Sequence, residues 1–87
     1  MKDKRRKAAA LKYRRESQAA PAVVAKGNGI LADRIIALAR EHGVPIREDR
    51  NLVEAVSTLD LFEEIPPELY KAVAEVLVFI YRLSGRT

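Results

Sequence analysis

The stretch Pro21-Ala22-Val23-Val24-Ala25-Lys26-Gly27-Asn28-Gly29-Ile30-Leu31 decides the fold. Ala22 to Ala25 is a short apolar run with two β-branched residues, preceded by a proline and closed by Lys26-Gly27-Asn28-Gly29. That pattern predicts a buried strand followed by a tight turn. Beyond the turn, Ile30, Leu31, Ile35 and Leu38 fall on one helical stripe. Asn28 is placed to act as N-cap, its side chain accepting from an orphan backbone N–H. Arg40 and His42 fall in the last turn, where cations meet the negative helix end. Gly43 suits the left-handed position just past that end, and Pro45 confirms the stop.

Downstream, Val44-Pro45-Ile46-Arg47 reads as a short strand whose proline restricts it to an edge or a first position. Asp49 can cap a second helix from Arg50 to about Leu59, with Leu52, Val53 and Val56 as its apolar face. Asp60 to Glu64 is a connector with room for a brief extended piece. The last helix starts at Ile65-Pro66-Pro67-Glu68, since proline is tolerated at the first helical position and an acid is favoured in the first turn. Leu69, Val73, Val76, Leu77, Ile80 and Leu83 recur along it at spacings of three, four and one, and Gly85 ends it. Upstream, Ala8 to Tyr13 is ambiguous: its Ala and Lys favour helix, but the run is short.

The order strand, strand, helix, strand, helix, helix predicts an α/β domain. Its sheet is expected to be small, mixed or parallel, of three to four strands, and surrounded by helices. The expected organisation is a flexible basic tail over residues 1–7 and a single domain over residues 8–87.

The 87 residues are 48% hydrophobic and 32% charged, enough apolar content for one small folded domain. Cysteine is absent and His42 is the single histidine, which excludes a disulfide framework, a thiolate zinc site and a histidine cluster. No cofactor or metal is expected. No apolar run approaches the ~20 residues that span a bilayer, and the N-terminus lacks an apolar signal core, so a cytoplasmic chain is expected. The formal charge of +4 is unevenly placed. Residues 1–20 carry eight bases and two acids, whereas residues 21–87 carry eight bases and ten acids. A basic arm on a mildly acidic body can meet nucleic acid or an anionic membrane, or simply be solvated.

Catalysis is poorly supplied. No serine lies in a Gly-x-Ser-x-Gly elbow. His42 reads as a helix-end residue, and Glu63, Glu64 and Glu68 as a solvated or capping face. Lys26 to Gly29 lacks the Gly-Lys-Ser/Thr of a phosphate loop, and turn geometry accounts for its glycines. Less ordinary is Val76-Leu77-Val78-Phe79-Ile80-Tyr81, six apolar residues in succession. A helix turns all its faces in that distance, so part of this run points away from one core face and can offer a groove to a partner peptide.

Taken together, Ala10-Leu11-Lys12-Tyr13, Ala20-Pro21, Val23-Val24-Ala25-Lys26-Gly27, Leu31-Ala32-Asp33-Arg34-Ile35 and His42-Gly43-Val44-Pro45-Ile46 carry a family resemblance. It continues through Glu64-Ile65-Pro66-Pro67-Glu68-Leu69-Tyr70 and Ala72-Val73-Ala74-Glu75-Val76-Leu77. The chain resembles the C-terminal domain of the FlhB/YscU/EscU family, the export-switch proteins of flagellar and virulence type III secretion, over about residues 8–83. The resemblance implies a strand at Ala8 to Tyr13, against local propensity. It implies a small apolar patch that docks export substrates, at Ala20, Pro21, Ala74 and Leu77 here. It also implies partners among secreted substrates and export-gate proteins, and a place peripheral to the inner-membrane gate. Full-length members carry a transmembrane domain and an Asn-Pro-Thr-His self-cleavage motif. Counting back from Ala10, the motif positions are Asp3, Lys4, Arg5 and Arg6. Asp3 lacks the side-chain amide that cyclises, so self-cleavage is not expected there. The chain is expected to be a stand-alone relative without the membrane domain, and not an enzyme.

Overall fold

The structure is a computed structural model that describes residues 6–14 and 16–83. Strands β1 (Lys7–Lys12) and β2 (Ala22–Asn28) form a two-stranded antiparallel sheet, with Lys7 opposite Asn28 and Lys12 opposite Ala22. The register slips between Ala10 and Leu11. Ala10 faces Ala25 and Leu11 faces Val23, which leaves Val24 as the extra residue of a bulge. Helices α1 (Ile30–Glu41) and α2 (Arg50–Val56), a 3-10 turn at Pro67–Leu69 and α3 (Tyr70–Leu83) follow.

Alternation along the strands sends two residue sets to opposite faces. Ala8, Ala10, Ala25 and Gly27 are small and receive α1, whose Leu31 lies directly over Gly27 and whose Ala32 is wholly buried. Ala9, Leu11 and Val23 face the other way. There Ala20, Val23, Val56, Leu59, Ile65 and Val73 close the main core, with Leu52 and Leu69 packed at its margin. Among the described residues Val23 and Val73, 0% and 1% exposed, are the largest side chains fully withdrawn from water. Each is worth about 1.5 to 2 kcal/mol by apolar burial. No charged or polar residue is buried among the described residues.

Local chemistry sets the boundaries. Asp49 caps α2, its carboxylate accepting from the Leu52 N–H at 3.0 Å. The helix stops at Val56, short of the expected Leu59. Ser57 Oγ donates back to the Val53 carbonyl at 2.7 Å and Thr58 Oγ1 to that of Ala55 at 2.8 Å, which competes with further helix. Lys26 then donates from Nζ to the Ser57 carbonyl at 3.2 Å and to that of Leu59, closing the end of α2 onto β2.

The fold class is the expected small α/β domain, but several details differ. The sheet has two strands and is antiparallel, not mixed or parallel with three to four. Val44 to Arg47 is not a strand. After α1, Gly43 has φ +70°, its N–H donates to the Arg40 carbonyl at 3.2 Å, and the Val44 N–H donates to that of Ala39 at 2.8 Å. This is a Schellman cap, and it uses the N–H that a strand would need. Asp60 to Glu64 supplies only an isolated bridge, Glu64 to Ala22, on the outer edge of β2. Asn28 does not cap α1. Pairing with Lys7 draws it into β2, and Gly29 occupies the N-cap with φ +59° and no side-chain bond. Lys26 to Asn28 is therefore strand, not turn. Of the expected basic tail, Arg6 and Lys7 are described. The Arg6 carbonyl accepts from the Gly29 N–H at 2.7 Å, and Lys7 Nζ pairs with Glu54 on α2 at 2.9 Å. Asp3, Lys4 and Arg5 lie outside the described residues, as do Gly85 and the side chains of Phe79, Ile80 and Tyr81.

Candidate functional site

Residues far apart in sequence meet where the segment before β2 passes α3. Ala20, Pro21, Ala74 and Leu77 all line one open depression of about 200 Å³, together with Tyr13 and Tyr70. Ala20 is 2% exposed and Pro21 is also buried, so these two form floor rather than rim. Ile65 and Val73 complete that floor. Ala74 and Leu77 are exposed on α3, and Tyr13 and Tyr70 are 41% and 46% exposed at the margin. The volume is below the roughly 300–1,000 Å³ of small-molecule pockets. It suits one apolar side chain of a peptide.

Side-chain bonds fix the loop that presents Ala20 and Pro21. Gln18 Oε1 accepts from the Arg14 N–H at 3.0 Å, while Gln18 Nε2 donates to the carbonyls of Ala20 at 3.2 Å and Lys12 at 3.4 Å. Pro21 has no N–H to satisfy. Its carbonyl accepts from the Ile65 N–H at 2.9 Å, tying the loop to the segment that leads into α3. Tyr13, Gln18 and Tyr70 join the four residues expected from the sequence. The signal for Tyr70 was present, since Tyr70, Ala74 and Leu77 stand at i, i+4 and i+7 on one helical stripe. Nothing local marks Gln18.

The remaining candidates behave as structure. His42 is exposed at the end of α1, its Nδ1 2.9 Å from the Leu38 carbonyl. Glu63 Oε1 accepts from the Asp60 N–H at 2.8 Å within their own turn. A polar depression of about 330 Å³ lies beside Lys7, Lys26 and Glu54, but Lys7 is paired with Glu54 and Lys26 with helix-end carbonyls. Among the positions matching the cleavage motif, Arg6 pairs with Asp33 at 3.6 Å, both more than half exposed, a contact of little energetic worth. Among the described residues no cluster of three potential metal ligands occurs, and no helix is long and apolar enough to cross a membrane.

Residues 5–80 match the FlhB HrpN YscU SpaS family. The chain belongs to this family. It is 50% identical over 79 residues to YlqH of Bacillus subtilis (strain 168), covering 91% of this chain and 85% of YlqH. It is 42% identical over 76 residues to the flagellar biosynthetic protein FlhB of Salmonella typhimurium, covering 86% of this chain but 20% of that protein. The FlhB of Aquifex aeolicus is 39% identical over 74 residues, 84% of this chain and 21% of the relative. The chain thus spans about a fifth of the flagellar relatives it matches. The PscU C-terminal domain superposes with a TM-score of 0.79 at 32% identity, covering 85% of this chain and 95% of that one. A mutated EscU/SpaS C-terminal domain shares the fold with a TM-score of 0.85 at 23% identity, covering 88% and 96%. This is an FlhB-like C-terminal domain, and its family is that of the type III export switch.

Proposed function

We propose that this domain is a non-enzymatic docking module of the flagellar or a related type III export apparatus. In this reading the depression lined by Ala20, Pro21, Ala74 and Leu77 holds an apolar side chain of an export substrate or of an export-gate component. The observation that carries the reading is that all four residues, separated by more than fifty positions between Pro21 and Ala74, line one open apolar depression. Ala74 and Leu77 remain available to a partner, while Ala20 and Pro21 give the depression a fixed base.

The physical account follows from size and polarity. Seating one large aliphatic side chain removes on the order of 100 Å² of apolar surface from water, roughly 2.5 kcal/mol. Association costs at least ~4 kcal/mol in lost freedom, so one anchor gives weak and quickly reversible binding unless neighbouring contacts add to it. Such kinetics suit a site that passes successive substrates onward. The domain would act on the cytoplasmic side, near the gate.

The test is binding of the purified chain to purified export-gate components and secreted flagellar substrates, using Leu77→Asp and Ala74→Glu as paired variants. Both positions are exposed, so both variants should keep the fold. Each is expected to lower affinity at least about tenfold, since an unpaired charge would be desolvated in an apolar contact. Unchanged affinity in both folded variants would overturn the reading.

A further inference from the structure

A second surface stands apart from the groove, at the turn that precedes Ile65. Phe62 has φ +69°, the one positive φ at a non-glycine position among the described residues, and is 74% exposed. Its neighbour Leu61 is 49% exposed. The backbone there is pinned: the Phe62 N–H donates to the Val23 carbonyl, and the Val23 N–H donates to the Glu63 carbonyl at 3.0 Å. Next to Val23 the bulged Val24 is also exposed. Three apolar side chains are thus held in the open at one edge of the sheet.

A β-carbon is unfavourable in the left-handed region, where glycine is the easy choice. An aromatic ring so placed and so exposed adds little to the core. The fold therefore does not explain this Phe. The surroundings indicate what would. From Asn51 to Tyr70 the chain carries five acids and no base, and Lys26, which reaches in from β2, is engaged by the Ser57 and Leu59 carbonyls. Glu54 is paired with Lys7, but Asp60, Glu63, Glu64 and Glu68 make no ion pair among the described residues. An anionic lipid surface would be repelled by this rim.

We propose that the Leu61–Phe62 turn, with Val24 beside it, is a docking surface for a cationic peptide segment carrying an aromatic or aliphatic side chain. The apolar group packs on Phe62, and lysines or arginines of the partner lie along Asp60, Glu63 and Glu64. Arginine or lysine over the Phe62 ring adds a cation–π contact. Charge steers the encounter and the exposed ring supplies the anchor.

The experiment titrates the isotope-labelled full chain with a lysine-rich peptide bearing a central Leu-Phe pair, and with its glutamate-for-lysine counterpart. The lysine peptide is expected to shift amide resonances at Val24 and Leu61 to Glu64, with affinity falling as salt rises, and the glutamate peptide to shift none. Phe62→Gly keeps the backbone conformation and is expected to weaken binding about tenfold, and Glu63→Lys with Glu64→Lys to weaken it at least as much. Leu77→Asp is expected to leave this binding unchanged, which separates it from the groove. Equal binding of both peptides, shifts confined to the groove, or full affinity in Phe62→Gly would overturn the proposal. So would self-association that Phe62→Gly abolishes, because the occupant would then be a second copy.

Discussion

Substituting Gly27→Ala tests how α1 is held against the sheet. A β-carbon at Gly27 would stand 2.4 Å from Leu31 Cγ, 2.7 Å from its Cδ2 and 2.9 Å from its Cβ. The backbone of Gly27 lies outside the left-handed region, so the folded-state cost is steric. Leu31 is 52% exposed, and its outer carbons can swing into solvent. Its Cβ cannot, so the first turn of α1 must retreat from β2 by several tenths of an ångström. Overpacking of this kind costs about 1 to 3 kcal/mol. The stiffer unfolded chain returns about 0.4 to 1 kcal/mol. The expected net loss is about 1 to 2 kcal/mol, a fall in Tm of roughly 5 to 15 °C for a domain of this size. Urea and thermal denaturation followed by circular dichroism measure both. The added substitution Leu31→Ala should recover part of the loss, because the two sites share one contact and their effects should not add. If Gly27→Ala proves neutral or stabilising, or if Leu31→Ala merely adds its own cost, α1 is not seated over a small-residue face.

Val73→Ala removes two methyl-sized groups from the buried face of α3, at 1% exposure, and should cost about 2 to 3 kcal/mol in urea denaturation, a large share of what a domain this small possesses. Lys26→Met keeps the aliphatic stem but strips the ammonium from the Ser57 and Leu59 carbonyls, so a loss of about 1 to 3 kcal/mol is expected, with faster amide exchange at the end of α2. Phe62→Gly exchanges backbone strain of about 1 kcal/mol against a more flexible unfolded chain, so chemical denaturation should show a change within about 1 kcal/mol. A loss well beyond that would mean that the ring serves the fold.

The sequence was most legible where a boundary is set by chemistry local to it. Asp49 as a cap and Gly43 as a left-handed terminus follow from side-chain reach and φ preference, and both were readable. It was least legible where tertiary pairing decides. Ala8 to Lys12 has helical propensity and becomes β1 because β2 offers it a ladder, so its strand was accessible only through resemblance. The same ladder takes Asn28 away from capping. Val44 looks like a strand residue but has its N–H committed to the cap of α1, a conflict that composition does not display. The groove was legible only in part, for a related reason. Its α3 wall follows helical spacing, whereas Gln18 acts through three bonds to a loop that has no periodicity.

The groove also shares atoms with the core, and this governs what any docking experiment can mean. Ala20, Ile65 and Val73 line the depression from below and belong to the cluster that holds the domain together. Changing them alters affinity and stability at once, and a lost interaction would not separate a ruined surface from an unfolded chain. Ala74 and Leu77 present exposed surface to the same depression while Val73, on the same helix, points inward. One helix therefore contributes to both the fixed floor and the replaceable wall. A preformed base lowers the ordering cost of docking. Under the proposed docking role, the wall is then the part free to vary without a penalty in folding. A set of wall variants should consequently spread in affinity while keeping a common denaturation midpoint, whereas floor variants should move both quantities together. If wall and floor variants fall on one line of affinity against stability, the depression is only a seam of the core, and docking must be sought elsewhere on the molecule.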